Sequence, residues 1–249
     1  MMRYLIPLAF IFIWQGLSSA GIIPANKFPA PAGVFYGFRD LLLTGIPPGN
    51  LLHLHILYSL YRVGLGFALG VSIAVPTGIL MGWSKKIREI LNPMIEIVRP
   101  VPPLAWIPIA ILWFGIGIKS AAFIIFLGVF FPVLLNTVSG VLSVNPRLLD
   151  AARSLGADKK DVFLKVLIPA SIPSIFTGMR IGIGIGWMTL VAAEFTGIKE
   201  GYGLGYMIMT ARDIQRPDEI LAGMLVIGLI GLGIDAGLRF IEKRQLNWR

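Results

Sequence analysis

The chain contains no cysteine, so a disulfide framework and a thiolate-ligated metal site are both excluded, although the compartment is not decided by that absence. Charge is sparse: Asp, Glu, Lys and Arg make up 14% of 249 residues, and only 13 are acidic. The two histidines, His53 and His55, fall just before the second long apolar run, in what reads as a solvated loop. Two histidines alone do not make a metal site. No HExxH, paired carboxylates or Ser–His dyad lies within an apolar run, which argues against an intramembrane enzyme. A GxxxxGK[ST] phosphate loop is missing too, so any nucleotide-driven work falls to another chain.

Apolar residues are what the chain has in excess: 56% of the total, with a mean hydropathy of +0.79, beyond an ordinary soluble domain. Apolar runs at about 4–20, 57–83, 120–142, 173–197 and 220–240 match the ~20 residues needed to cross a bilayer. A weaker run, about 101–118, holds Pro102, Pro103 and Pro108 and is predicted to enter the membrane irregularly. Such backbone is tolerated at depth only against protein or a water-filled cavity, so this run is either a kinked packing helix or a pathway wall. The expectation is an all-α, polytopic membrane protein of about six transmembrane helices, one domain over 1–249 with its core at 57–240. The first run has a second reading as a secretory signal, with Arg3 ahead of it and Ser18-Ser19-Ala20 behind; an uncleaved helix is preferred.

The net charge of +9 is spread over short connections, which makes it a topology signal and not a nucleic-acid surface. With six spans, Arg3, Lys85, Lys86, Arg88, Arg99, Arg147, Arg153, Lys159, Lys160, Lys165, Arg239, Lys243, Arg244 and Arg249 share one side. Lys27, Arg39, Lys119, Lys199, Arg212 and Arg216 lie on the other. The positive-inside rule then places both termini in the cytoplasm, together with the connection between the fourth and fifth spans.

Within the spans, Gly178, Gly182 and Gly186 form a double GxxxG, echoed by Gly66 and Gly70 and by Gly233 and Gly237. Small residues at this spacing let helix backbones approach in lipid, first of all within one subunit. Gly184 lies on another face and adds flexibility. Arg62 and Glu194 are ionisable residues near the outer ends of the second and fifth spans. Either they pair, or Arg62 attracts an anion, or each snorkels to the headgroups. Asp235 and Arg239 have i, i+4 spacing for an intrahelical ion pair. Candidate pathway residues are Asn136, Thr137, Ser139, Thr177 and Thr189, with Trp106 and Trp187 as constrictions; the hydroxyls have the alternative of bonding their own helix backbone. The outer segments 21–56 and 198–219, the second with Tyr206, Met207 and Met209, suit a gate or a docking face.

The connection 145–169 has the pattern of two short amphipathic helices. Asn145 caps a helix that opens on Pro146, Leu148, Leu149, Ala152 and Leu155 form its stripe, and Gly156 ends it. Asp158 caps a second helix, with Asp161 completing a capping-box-like pattern and Val162, Phe163, Val166 and Leu167 as its stripe; Pro169 is expected to stop it. On these features alone, a membrane-surface helix with Lys159, Lys160 and Lys165 on the headgroups fits equally well.

DAARSLGADKKDVFLKVLIP, Asp150 to Pro169, also resembles the EAA loop of ABC importer permeases, with Asp150 where the family name leads one to expect glutamate. RPVPPLAWIPIAILWFGIG (Arg99–Gly117), FFPVLLNTVSGV (Phe130–Val141) and IFTGMRIGIGIGWMTLVAAEF (Ile175–Phe195) resemble the permeases for taurine, alkanesulfonates, nitrate and bicarbonate, and Gly203-Leu204-Gly205-Tyr206 fits the same subfamily. The resemblance implies a homodimeric, non-enzymatic permease in the inner membrane. It further implies that Asp150, Ala151, Ala152, Ser154, Leu155, Gly156, Ala157 and Phe163 dock on two cytoplasmic ATPase subunits that bind ATP and Mg. A small anion would arrive on an extracytoplasmic binding protein. An ion-coupled secondary transporter, which would show internal repeats and buried mid-membrane carboxylates, and an ABC permease for another small solute are the alternatives.

Overall fold

The computed structural model describes residues 2–195 and 201–245. Lys199 and Arg249 of the charge pattern, and the start of the 198–219 segment, fall outside them. Among the described residues eleven α-helices follow in order: α1 (Met2–Ser19), α2 (Pro31–Leu43), α3 (Leu52–Trp83), α4 (Lys85–Val98), α5 (Ile107–Phe114), α6 (Ile118–Leu142), α7 (Pro146–Ser154), α8 (Lys159–Asp161), α9 (Ile168–Phe195), α10 (Leu204–Asp213) and α11 (Pro217–Gln245). A 3₁₀ turn, Pro103–Trp106, precedes α5, and a π-helix, Val162–Leu167, joins α8 to α9.

Four helices, those at Leu52–Trp83, Ile118–Leu142, Lys159–Phe195 and Pro217–Arg244, are long and apolar enough to cross a membrane. A fifth span exists if α4 and the Pro103–Phe114 segment, bent by 81° at their break, count as one. The first apolar run is helical as expected, with an apolar stretch of Leu8–Ser19. The run at 101–118 is not one kinked span: α5 has eight residues, about 12 Å of rise. Pro102 and Pro103 force the chain out of the helical region ahead of it, and Gly115, at φ 75°, ends it. The second span begins at Leu52, earlier than the apolar pattern indicated.

The chain divides into two compact units. The first comprises Met1–Leu60 and Glu194–Leu232. Here α2, a helix the sequence pattern did not reveal, approaches the start of α11 so closely that a methyl on Gly37 would lie 2.7 Å from the Asp218 carbonyl carbon. Arg216 ties the same corner, bonding Asp218 (3.0 Å), Asp40 (2.9 Å) and Glu219 (3.1 Å). Its hydrogen bond to Asp218 above all, opposed by burial and helped by Asp40, raises its basicity above an ordinary arginine's.

The second unit, Tyr61–Ala193 with Gly233–Arg249, is organised around α6. Its Ile124, Ile125, Val129, Val133 and Leu134 are fully buried. On one side α3 presents Gly66, where a methyl would lie 2.6 Å from Ile125 Cβ, and Gly70, where it would lie 2.7 Å from Val129 Cγ1. On the other, α9 presents Gly178 against Asn136 (2.8 Å), Gly182 against Val129 (3.1 Å) and Gly186 against Val129 (2.9 Å). The Gly66–Gly70 pair and the Gly178–Gly182–Gly186 triplet therefore serve packing within the subunit. Gly233, Gly237 and Gly184 have nothing within 4 Å.

Replacing Gly70 or Gly182 with leucine should force α3 or α9 off α6. Overpacking of this kind costs about 1–3 kcal/mol. The expected outcome is a lower thermal midpoint in detergent for either variant, with Gly233→Leu close to wild type; equal midpoints for all three would refute the packing role.

Candidate functional site

The connection after α6 is built as the local sequence dictates. The Asn145 side-chain oxygen accepts from the Arg147 N–H (3.0 Å), Pro146 opens α7, and Gly156 takes φ 88° beyond its end. Asp158 then caps α8 by accepting from the Asp161 N–H (2.6 Å). The reciprocal half of a capping box is absent; the Asp161 carboxylate instead meets Lys165 at 2.7 Å. Pro169 does not stop the second helix. The chain passes through the π turn into α9 without a break, the Ile168 N–H reaching back to the Phe163 carbonyl. The wider turn removes the α-helical geometry in which a proline ring strikes the carbonyl four residues back.

This arrangement exposes one rim and buries the other. Asp150, Ala151, Ser154 and Gly156 are exposed, Leu148 is 53% and Leu155 89% exposed, and Ala152 and Ala157 are half-buried. Val162 and Leu167 are buried, and Phe163 stands edge-on to Trp83 at 5.2 Å. Asp150 and Arg153 form an exposed ion pair at 3.1 Å, which contributes little to stability. The loop is thus an apolar ridge in water, held from behind by α3 and the π turn.

A second polar centre lies in the first unit. His55, Ser59 and Glu194 are all fully buried. The Ser59 hydroxyl lies 2.8 and 3.0 Å from the two Glu194 oxygens and accepts from the Leu204 N–H at 2.9 Å. Glu194 also accepts from the Gly205 N–H at 2.7 Å. The His55 ring nitrogen Nδ1 accepts from the Gly203 N–H at 3.0 Å, and Asn50 donates to the Gly201 carbonyl at 3.1 Å. Tyr202 stacks on Tyr58, centroids 4.8 Å apart. Orphan N–H groups at the start of α10 are thereby satisfied by a carboxylate and a hydroxyl, and α10 is anchored rather than laid on a surface: Leu204, Met207 and Ala211 are fully buried.

The reading of His55 as a solvated loop residue is thus corrected, while His53 is exposed. Snorkelling is excluded for both Arg62 and Glu194, since neither has any exposed surface. Ser59 escaped the sequence reading. Its signal was the spacing of His55, Ser59 and Arg62, polar residues at i, i+4 and i+7 along one face of an apolar helix. The Asp235–Arg239 pair forms as expected, at 2.9 Å through Nε.

The candidate pathway residues separate by burial. The Thr137, Thr177 and Thr189 hydroxyls donate to carbonyls of their own helices, at 2.7, 3.0 and 2.9 Å. Thr137, Thr189 and Trp187 are buried. Asn136 donates to the Pro132 carbonyl at 2.8 Å and stays half-buried. Ser139 is exposed, and Trp106 packs against the cluster of Ala110, Ala121 and Ile124. Among the described residues no group of three His, Cys, Asp or Glu is placed to hold a metal.

Apolar helices long enough to span a bilayer, with an exposed amphipathic connection between two of them, define a polytopic membrane protein. The description "binding-protein-dependent transport system inner membrane component" matches residues 74–245, and the chain belongs to that family. A protein of Methanocaldococcus jannaschii, provisionally named an ABC transporter permease, is 44% identical over 216 residues, covering 87% of this chain and 79% of its own. The Escherichia coli taurine transport system permease TauC is 39% identical, covering 95% and 85%. A Bacillus subtilis permease provisionally named SsuC, for aliphatic sulfonates transport, is 37% identical, covering 98% and 86%. Among solved structures, an inward-facing MetNI methionine ABC transporter chain shares the fold, with a TM-score of 0.66 at 18% identity over 77% of this chain and 94% of that one. The chain is therefore an ABC importer permease component; ATP hydrolysis belongs to a separate subunit, and the permease is not itself an enzyme.

Replacing Glu194 with alanine strips two donors of a buried charged acceptor, worth about 2–3 kcal/mol for such bonds. Amide exchange at Leu204 and Gly205 should accelerate on the order of 100-fold, as local opening becomes cheaper. Unchanged protection there would show that the anchor lies elsewhere.

Proposed function

We propose that two copies of this chain form the pathway of an ATP-driven importer for a small oxyanion, with taurine or another sulfonate first and nitrate or bicarbonate next. The substrate arrives on an extracytoplasmic binding protein. Two cytoplasmic ATPase subunits, which hold ATP and Mg²⁺, receive the 145–169 loop, and both termini face the cytoplasm across the inner membrane. The observation that carries this reading is the exposed ridge of Leu148, Ala151 and Leu155 on a loop whose back is fixed. Burying a leucine such as Leu155 in a partner's groove gains about 2 kcal/mol, and the fixed back lets a push on the ridge act on α9. Relatives named for sulfonate and taurine transport support the substrate class. Of the pathway candidates, Asn136, Ser139, Thr177 and Trp106 keep accessible surface suited to lining a channel; Thr137, Thr189 and Trp187 suit packing behind it.

Tagged wild-type chain, purified gently from its native membrane, should bring an ATPase with it. Leu155→Asp should lower that recovery about tenfold or more, matching the loss of one buried leucine plus an added charge, without loss of the folded permease. An intact chain that never carries an ATPase would restore the ion-coupled secondary transporter to first place. Uptake of labelled taurine, ethanesulfonate, nitrate and bicarbonate by the reconstituted complex decides the substrate.

A further inference from the structure

Arg180 lies twelve residues into α9, about 18 Å along the helix, and its side chain is 34% exposed. Its one ionic contact among the described residues is with Glu242, near the end of α11, whose Oε2 is 3.2 Å from Nη1. This contact contrasts with the side-on clamp that Arg216 makes on Asp218 through both Nε (3.0 Å) and Nη2 (2.8 Å). A guanidinium carries five N–H donors in a fork suited to oxyanions, and Arg180 leaves most of that capacity unused. On the face of α9 turned from α6, Ile181 and Met188 are 45% and 74% exposed, and Gly184 has nothing within 4 Å. Arg180 borders this open face.

We infer that Arg180 contacts the transported oxyanion within the pathway, and that Glu242 is the counter-ion which the substrate displaces. The inference rests on the proposed anion substrate. An isolated cation in a span is costly, and Glu242 neutralises it between transport cycles. A sulfonate, with three oxygens and one negative charge, replaces one carboxylate contact by a forked one, so the Arg180 guanidinium itself is paired with one anion before and after the exchange. The released carboxylate has Lys243 and Arg244 beside it in the last turn of α11. Substrate affinity at the outer face remains with the binding protein, and Arg180 acts on passage.

The absence of native cysteine gives a clean test. Arg180→Cys, Arg180→Lys, Glu242→Gln and the double variant Arg180→Cys/Glu242→Gln are reconstituted with the ATPase and binding protein in liposomes. Uptake of labelled taurine and ATP hydrolysis are read separately, and co-purification with the ATPase verifies assembly. Arg180→Cys should cut uptake about tenfold or more, as expected for loss of a charge-assisted contact, while hydrolysis continues. Aminoethyl methanethiosulfonate, which restores a cation at that cysteine, should recover uptake, and the sulfonatoethyl reagent should not. Arg180→Lys should fall between, and Glu242→Gln, which removes the competing carboxylate, should lower the taurine concentration that half-saturates uptake.

A structural ion pair predicts the opposite pattern: Glu242→Gln fails as badly as Arg180→Cys, and the double variant is rescued. That result, or normal anion uptake by Arg180→Cys, overturns the inference alone. A wild-type complex that hydrolyses ATP but moves none of the tested anions overturns the substrate reading, and this inference with it.

Discussion

In a bilayer, leucine on a helix gains nothing by leaving lipid for another helix, so association depends on contact area and close approach. That constraint explains why α6 lies at the centre of its unit. Gly66 and Gly70 on α3 and Gly178, Gly182 and Gly186 on α9 remove the side chains that would hold the backbones apart. The β-branched residues of α6, Ile125, Val129 and Val133, fill the resulting grooves. Their stiff rotamers make the contact definite. A helix gripped in this way from both sides resists sliding, and motion imposed on α9 has to be expressed as tilt or rotation about α6.

The start of α9 shows how such motion enters. A proline in a helix interior breaks a bond and strikes the preceding turn, yet Pro169 follows a π turn that has already widened the backbone. The result is one continuous element from Lys159 to Phe195. Coupling ridge and spanning helix are therefore mechanically in series, whereas a proline stop would have placed a hinge between them. The edge-on pair of Trp83 and Phe163 steadies this element at its start, beside the exposed loop.

Much of this was legible in the sequence because lipid imposes simple rules. The longest apolar spans, the glycine spacing of α3 and α9, the Asn145 and Asp158 caps and the Gly156 terminator are all local or periodic signals, and each of these appears where the residues put it. Three features were not legible. Pro169 reads as a stop by every local rule, and only the nonlocal backbone register of the π turn reverses that. The helix α2 is short, mixed in polarity and defined by its approach to α11 at Gly37, a tertiary event. His55 looked solvated because the apolar run begins after it, but its partner, the Gly203 N–H, is 148 residues away in sequence. A polar residue's burial depends on who satisfies it, and that information is not in its neighbours.

The same principle separates anchoring from transport. Buried polar groups that find their partners rigidify a structure, and Ser59 and Glu194, bonded to each other and to the Leu204 and Gly205 N–H groups, have that character. A group that holds its partner by one exposed contact has spare donors and a low barrier to exchange. Arg180 is of this second kind, and it borders the open face of α9, the helix continuous with the end of the exposed loop. The importer proposed above would use both kinds of site: a rigid connection that does not yield when a delivery protein arrives, and a cation on α9 that gives up one anion for another. On that proposal, the incomplete contact sits on the helix in series with the exposed ridge, so an ATP-driven step there would change the cation's surroundings and its hold on the anion between two conformations, as passage across a membrane requires.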